Sequence, residues 1–211
     1  NMAIVDADNC MTAPRGLTAA SGIDVMTHAI ESYVSIMASD YTKGLSERAA
    51  KLVFENLPSS FTNGAKDPHA REEMHNASCM AGMAFTNVGV TAVHGISHAL
   101  GAMYHIPHGL GNAILLPFVL AFNRQDAVAA QRLDALSRYC GVPDIVQALA
   151  DLKSALGIPA TLRQQGLDEA SFLRDLDTIA EKSLMGATKF NPVPMDLDNM
   201  RHLLRAVYYG D

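Results

Sequence analysis

Polar and apolar positions alternate along this chain on a helical period almost from end to end. After Pro14, Leu17, Ala20, Ile23, Met26 and Ile30 recur at steps of three and four residues, the spacing of one helical face. Thr18 or Ser21 is expected to cap that helix. A second amphipathic run spans 41–57 and is expected to stop at "LPSS". A third opens at "DPHAREEMHNASCMAGMAF", where Asp67 suits the cap, Pro68 the first turn, and small residues allow close packing. "VTAVHGISHALGAMY" reads as a fourth helix. "IPHGLGNAILLPFVLAFN" follows, broken at Pro107 and again near Pro117. "AVAAQRLDALSRYCG", "DIVQALADLKSALG" and "DEASFLRDLDTIAEKSLM" read as helices ending near Gly or Pro, and "DLDNMRHLLRAVYYG" closes the chain. Only "MAIVD" reads as extended. The pattern predicts an all-α, multi-helix bundle.

Composition sharpens this only at the edges. Apolar residues make up 49% of the 211, enough for a packed core. Sixteen basic against twenty-two acidic residues leave a formal charge of −6, which argues against nucleic acid or an anionic membrane as partner. No run reaches the roughly 18 apolar residues of a membrane span. "NMAIVDADNC" lacks the regions of a signal peptide, so a cytoplasmic location is expected. Cys10, Cys79 and Cys140 form no CxxC pair and read as free thiols. Residues 1–14 read as a residual interdomain segment ahead of a helical domain over 15–211.

The chemistry gathers in "VHGISHALGAMYHIPHG", which holds four of the eight histidines: His94, His98, His105 and His108. Neutral histidines without partners are costly to bury, so four in one apolar segment call for a ligand. His94 and His98 share the i, i+4 spacing of Asp24 and His28 in "GIDVMTHAIE". On a helix such pairs lie on one face, with Cβ atoms about 5–6 Å apart. A carboxylate plus neutral imidazoles suits a divalent ion such as Fe²⁺ or Zn²⁺. On one straight helix His94 and His108 would be separated by about 21 Å of rise. Pro107 ends the helix near Tyr104, so the chain can double back and present His105 or His108. Spacing alone leaves open which histidine of each arm binds. His69, His75 and His202 lie in charged surroundings and read as surface residues, as does the Glu72–His75 pair. "HGISH" has the spacing of a zincin motif, but Gly95 stands where the general-base Glu would be. "GLG" over 109–111 is no dinucleotide fingerprint.

Two long stretches, "GLTAASGIDVMTHAIESYVS" and "AGMAFTNVGVTAVHGISHALGAMYHIPHGLGNAILLP", resemble the signature regions of the iron-containing alcohol dehydrogenases. The details resemble the alcohol dehydrogenase half of bifunctional aldehyde–alcohol dehydrogenases and related short-chain alcohol dehydrogenases. It implies Asp24, His28, His94 and His108 as ligands of Fe²⁺ or Zn²⁺. His98 matches a histidine near the nicotinamide and substrate, a catalytic and cofactor-side position. His105 is implied to have no ligand role, and Phe85 matches a substrate-pocket position. The resemblance further implies Lewis-acid catalysis, with hydride exchanged between a small primary alcohol or its aldehyde and NAD(P). That family carries an N-terminal α/β nucleotide-binding domain, which this chain lacks. The chain is therefore expected to be the C-terminal helical domain of a two-domain dehydrogenase, binding metal but having little activity alone. Contacts between helical domains suit a homodimer. A metal-dependent hydrolase or lyase on a helical bundle is the alternative, with His98 as its general base.

Overall fold

A computed structural model describes residues 4–210. Among these residues there is no strand. Met2 and Ala3 of the stretch expected to be extended lie outside the described residues; Ile4 to Asp6 have no regular structure, and a 3₁₀ turn follows over Ala7–Cys10. The helices are α1 (Arg15–Val34), α2 (Asp40–Asn63), α3 (Pro68–Val88), α4 (Ala92–Tyr104), α5 (His108–Asn123), α6 (Ala127–Cys140), α7 (Ile145–Ala155), α8 (Glu169–Ser183) and α9 (Leu197–Tyr209). The all-α expectation holds, and no single described helix is long and apolar enough to cross a membrane.

Twelve of the twenty residues of α1 are buried, so it is the central helix. It packs against α2, α3 and α5, while α4 lies against α5 and α8. Ile23, Met26 and Ile30 enter the core as the periodicity predicts, but Leu17 is 58% exposed. The expected cap is a second departure. Pro14 occupies the N-cap of α1 without a side-chain bond, and Thr18 and Ser21 donate back to the Pro14 and Leu17 carbonyls. Arg71 on α3 holds this end instead, donating to Thr18 Oγ1 at 2.9 Å and to the Ala13 carbonyl at 3.2 Å.

Two prolines fail to end their helices. Pro58 sits inside α2 on its exposed face, where the carbonyl it deprives of a donor can be hydrated. Pro117 sits inside α5, between the buried Ile114–Leu116 run and buried Val119 and Leu120. Their burial, at about 1.5–3 kcal/mol for each large side chain, outweighs the local cost of the proline.

Two breaks position the site. Between α3 and α4 the chain bends by 99°. Gly89 makes this turn at φ 75°, and a Cβ there would lie 2.6 Å from the Phe190 ring. After α4, His105 adopts a left-handed conformation (φ 55°) and its N–H bonds the Gly101 carbonyl. Pro107 then caps α5, so α4 ends at Tyr104 as predicted and His108 opens the returning helix.

Candidate metal centre

α1, α4 and α5 converge on one polar cluster. Asp24, His94 and His108 each offer one ligand atom within 4.8 Å of the others. Asp24 Oδ1 lies 3.9 Å from His94 Nε2 and 3.7 Å from His108 Nε2. His28, one turn after Asp24, joins at the His94 corner, with the two Nε2 atoms 3.0 Å apart. Its Nδ1 lies 4.0 Å from Asp24 Oδ1. A tetrahedral ion held at about 2.1 Å needs ligand atoms about 3.4 Å apart, so these separations suit one small cation.

Asn112 marks where the lone pairs meet. Its Nδ2 lies 2.6 Å from Asp24 Oδ1, 3.1 Å from His108 Nε2 and 3.3 Å from His94 Nε2. One amide NH₂ thus faces a carboxylate oxygen and two ring nitrogens, the atoms a cation would also find. The Asn112 Oδ1, by contrast, is buried without a partner.

The charge states favour the same use. Burial pushes the His28 pKa down to about 4, against the pull of the Asp24 carboxylate. Burial likewise lowers His108 and, with His94 and His108 beside it, His98. These rings are therefore neutral at neutral pH, as metal ligands must be. His94 differs: burial alone would lower its pKa, but the adjacent Glu31 carboxylate raises it overall.

Glu31 is fully buried on α1. Its Oε2 lies 2.5 Å from His94 Nδ1, while Oε1 accepts from the Thr91 hydroxyl at 2.5 Å and the Val93 N–H at 2.7 Å. Burial would raise the Glu31 pKa; the His94 ring and the Thr91 hydroxyl lower it instead. Ser97 Oγ lies 3.4 Å from His108 Nδ1.

The remaining predicted residues separate clearly. His98 is exposed at the rim, stacked on His108 with ring centroids 5.3 Å apart and edge-on to His94. Phe85 stacks on His28 at 4.4 Å. His105 caps α4 and points to solvent, and His69 and His202 are exposed. His75 is not a free surface residue: it is half-buried, its Nδ1 2.9 Å from the Arg71 carbonyl. Sequence reasoning missed Glu31, Ser97 and Asn112. Each stands at helical spacing from a residue it had named: Glu31 seven after Asp24, Ser97 three after His94, Asn112 four after His108.

Comparison with known proteins gives one answer. The family model for the Fe-containing alcohol dehydrogenase family, C-terminal, matches residues 18–208. The chain is 37% identical over 235 residues to the bifunctional aldehyde–alcohol dehydrogenase AdhE of Escherichia coli, covering all of this chain and 26% of that protein. It is 36% identical to the NADPH-dependent butanol dehydrogenase of Clostridium saccharobutylicum, covering all of this chain and 55% of that one. Its fold superimposes on the iron-containing alcohol dehydrogenase of Thermococcus thioreducens with a TM-score of 0.91 and 32% identity, over 99% of this chain and 55% of the other. A sulfoacetaldehyde reductase from Bifidobacterium kashiwanohense, solved with NAD+, gives 0.87 at 28% identity, over 98% of this chain and 54% of that one. The chain thus spans between a quarter and about half of these relatives. With the three-helix cluster and the match over residues 18–208, it belongs to the Fe-containing alcohol dehydrogenase family, whose C-terminal helical part it represents.

Proposed function

We propose that this chain supplies the metal and substrate side of an NAD(P)-linked dehydrogenase acting on a small primary alcohol or its aldehyde. Asp24, His28, His94 and His108 would hold one Fe²⁺ or Zn²⁺. The observation that carries this reading is the convergence of Asp24 Oδ1, His94 Nε2 and His108 Nε2, each within 4.8 Å of the others, beside the Asn112 amide. A bound divalent ion supplies Lewis acidity toward an alcohol or carbonyl oxygen. Around it, Asp24 contributes the one negative charge among the four ligands and the three imidazoles contribute neutral donors. His98, exposed at the rim, orients the substrate and relays the hydroxyl proton to solvent. Phe85, flat against His28, forms an apolar wall for the substrate carbon chain. The nicotinamide would be presented by a nucleotide-binding domain outside these 211 residues. Relatives named as NADPH-dependent or solved with NAD+ support a nicotinamide partner. A hydrolase or lyase would have to use His98 as its base, since both oxygens of the buried Glu31 are committed to Thr91, Val93 and His94.

Metal analysis of the purified chain tests the proposal. The wild type is expected to bind one equivalent of Zn²⁺ or Fe²⁺. Asp24→Ala should weaken binding by more than the roughly 10–100-fold that loss of a supporting partner costs. Alcohol-dependent NAD(P) reduction should need an added nucleotide-binding domain. Absence of metal from both proteins, or full activity of the chain alone, would overturn the respective part of the reading.

A further inference from the structure

We propose that Glu31 is a positioning residue that fixes the tautomer of His94, so that Nε2 and not Nδ1 offers its lone pair to the ion. The inference rests on the ligand reading above and adds a residue that touches no ligand atom.

The Val93 N–H is an obligate donor, and it is committed to Glu31 Oε1. The Thr91 hydroxyl shares that oxygen. Glu31 Oε2 is left for His94 Nδ1 at 2.5 Å. An ionised carboxylate only accepts, so Nδ1 must carry the proton. When the ring is neutral, Nε2 is then bare and faces Asp24, His28 and Asn112. Histidine ligands are commonly oriented through such a second bond, which also raises their basicity. Here the carboxylate is entirely buried and comes from the helix that carries Asp24 and His28. One helix therefore supplies two ligand candidates and the group that orients a third.

This makes Glu31→Gln a directed test. The amide oxygen must face the Val93 N–H, because an NH₂ there would set donor against donor. The amide NH₂ then faces His94 Nδ1, which must accept, and the ring proton moves to Nε2. The near-isosteric variant is thus expected to reverse the tautomer and block the ligand atom. Thr91→Val is the control: it disturbs packing at the same spot but leaves the carboxylate and the Val93 bond.

The experiment is a ring ¹H–¹⁵N correlation spectrum of the full 211-residue chain in chelator, at a pH where His94 is neutral, with Zn²⁺ titrations alongside. Wild type and Thr91→Val should show His94 protonated at Nδ1, and Glu31→Gln at Nε2. Zn²⁺ affinity of Glu31→Gln should fall by at least about 10–100-fold, the usual cost of losing an outer partner, while Thr91→Val stays within a few-fold of wild type. A wild-type His94 proton on Nε2 overturns the inference even if Glu31→Gln does not fold, and so does wild-type Zn²⁺ affinity in Glu31→Gln. A wild type that carries the Nδ1 proton but binds no Zn²⁺ sinks the ligand reading and leaves the assignment to Glu31 standing.

Discussion

Two sets of helices in this molecule begin in different ways. Six carry their own N-terminal side-chain cap: Ser39 for α2, and Asp67, Asp126, Asp144, Asp168 and Asp196 for α3, α6, α7, α8 and α9. The three that carry the site, α1, α4 and α5, have none. Their starts are held by one another and by α3. Arg71 of α3 clamps the start of α1, and Glu31 of α1 accepts from Val93 in the first turn of α4. Gly109 in the first turn of α5 lies so close to α1 that a Cβ would meet the Ala20 carbonyl at 2.5 Å. The outer helices are thus specified locally and the site helices by tertiary contact. A site assembled from three helices gains by this, because the contacts that start each helix also fix its register against the others.

The largest expected effect sets one kind of cap against the other. Glu31→Ala leaves the Thr91 hydroxyl, the Val93 N–H and His94 Nδ1 without their buried partner. At about 1–3 kcal/mol for each unpaired donor, the metal-free chain should lose roughly 3 kcal/mol or more. Asp126→Ala removes a single bond to Ala129 N and should cost about 1 kcal/mol. Urea denaturation of both variants in chelator measures the difference, and equal losses would erase the distinction between the two sets.

Glycines sharpen it next. A Cβ at Gly95 in α4 would lie 2.1 Å from Thr188 Oγ1 and 2.7 Å from the Ser183 carbonyl oxygen. Thr188 is itself bonded to that carbonyl, so neither neighbour can simply step aside. Gly95→Ala should therefore cost about 1–3 kcal/mol as overpacking and loosen α4 against α8. Gly44 in α2 meets nothing within 4 Å. Gly44→Ala should stabilise by up to about 1 kcal/mol, the helix-propensity gain. The opposite signs are the readout: a loss at Gly44 or a gain at Gly95 would contradict the geometry.

The same division explains what could be read in the sequence. The Asp67 cap, the end of α4 at Tyr104 and the existence of the outer helices were legible because each depends on neighbouring residues. Expectations failed where distant contacts decide. Thr18 and Ser21 looked like caps, but the start of α1 belongs to Arg71. Pro58 and Pro117 looked like stops, but the helices run through them. Gly95 read as a missing catalytic Glu; in the structure it is the point where α4 touches Ser183 and Thr188. Asp24, His28, His94 and His108 stood out as candidate ligands because i, i+4 spacing and a proline turn are local signals, and the family resemblance chose among the histidines. Glu31 and Asn112 share the same helical faces, yet a lone Glu or Asn at such a spacing carries no signal until the partner helix is in place.

The smallest expected effect concerns acid. His28 in α1 has a pKa lowered to about 4, chiefly by burial. A lowered folded-state pKa means that its contribution is complete above the unfolded value near 6.5 and is lost as pH falls through about 4. His94 acts in the opposite sense. Its raised pKa gives a contribution complete below about 6.5 and lost as pH climbs through the folded value. The metal-free site should therefore be most stable near pH 6.5, with a loss on either side. The cap of α8 behaves differently: the Ser171 N–H lowers the Asp168 pKa below 3.8, so its contribution disappears only in stronger acid. Unfolding by pH in chelator should show two steps, one between pH 6.5 and 4 from the site and one below 3.8 from the Asp67 and Asp168 caps. Opposing charges and partial solvent access keep the first step smaller than the losses predicted above. His28→Gln should shrink the first step, which His108 and His98 share through their own lowered pKa values, and leave the second, whereas Asp168→Asn should weaken only the second. A single acid transition unaffected by His28→Gln would mean that the site helices and the outer helices respond to protons as one set.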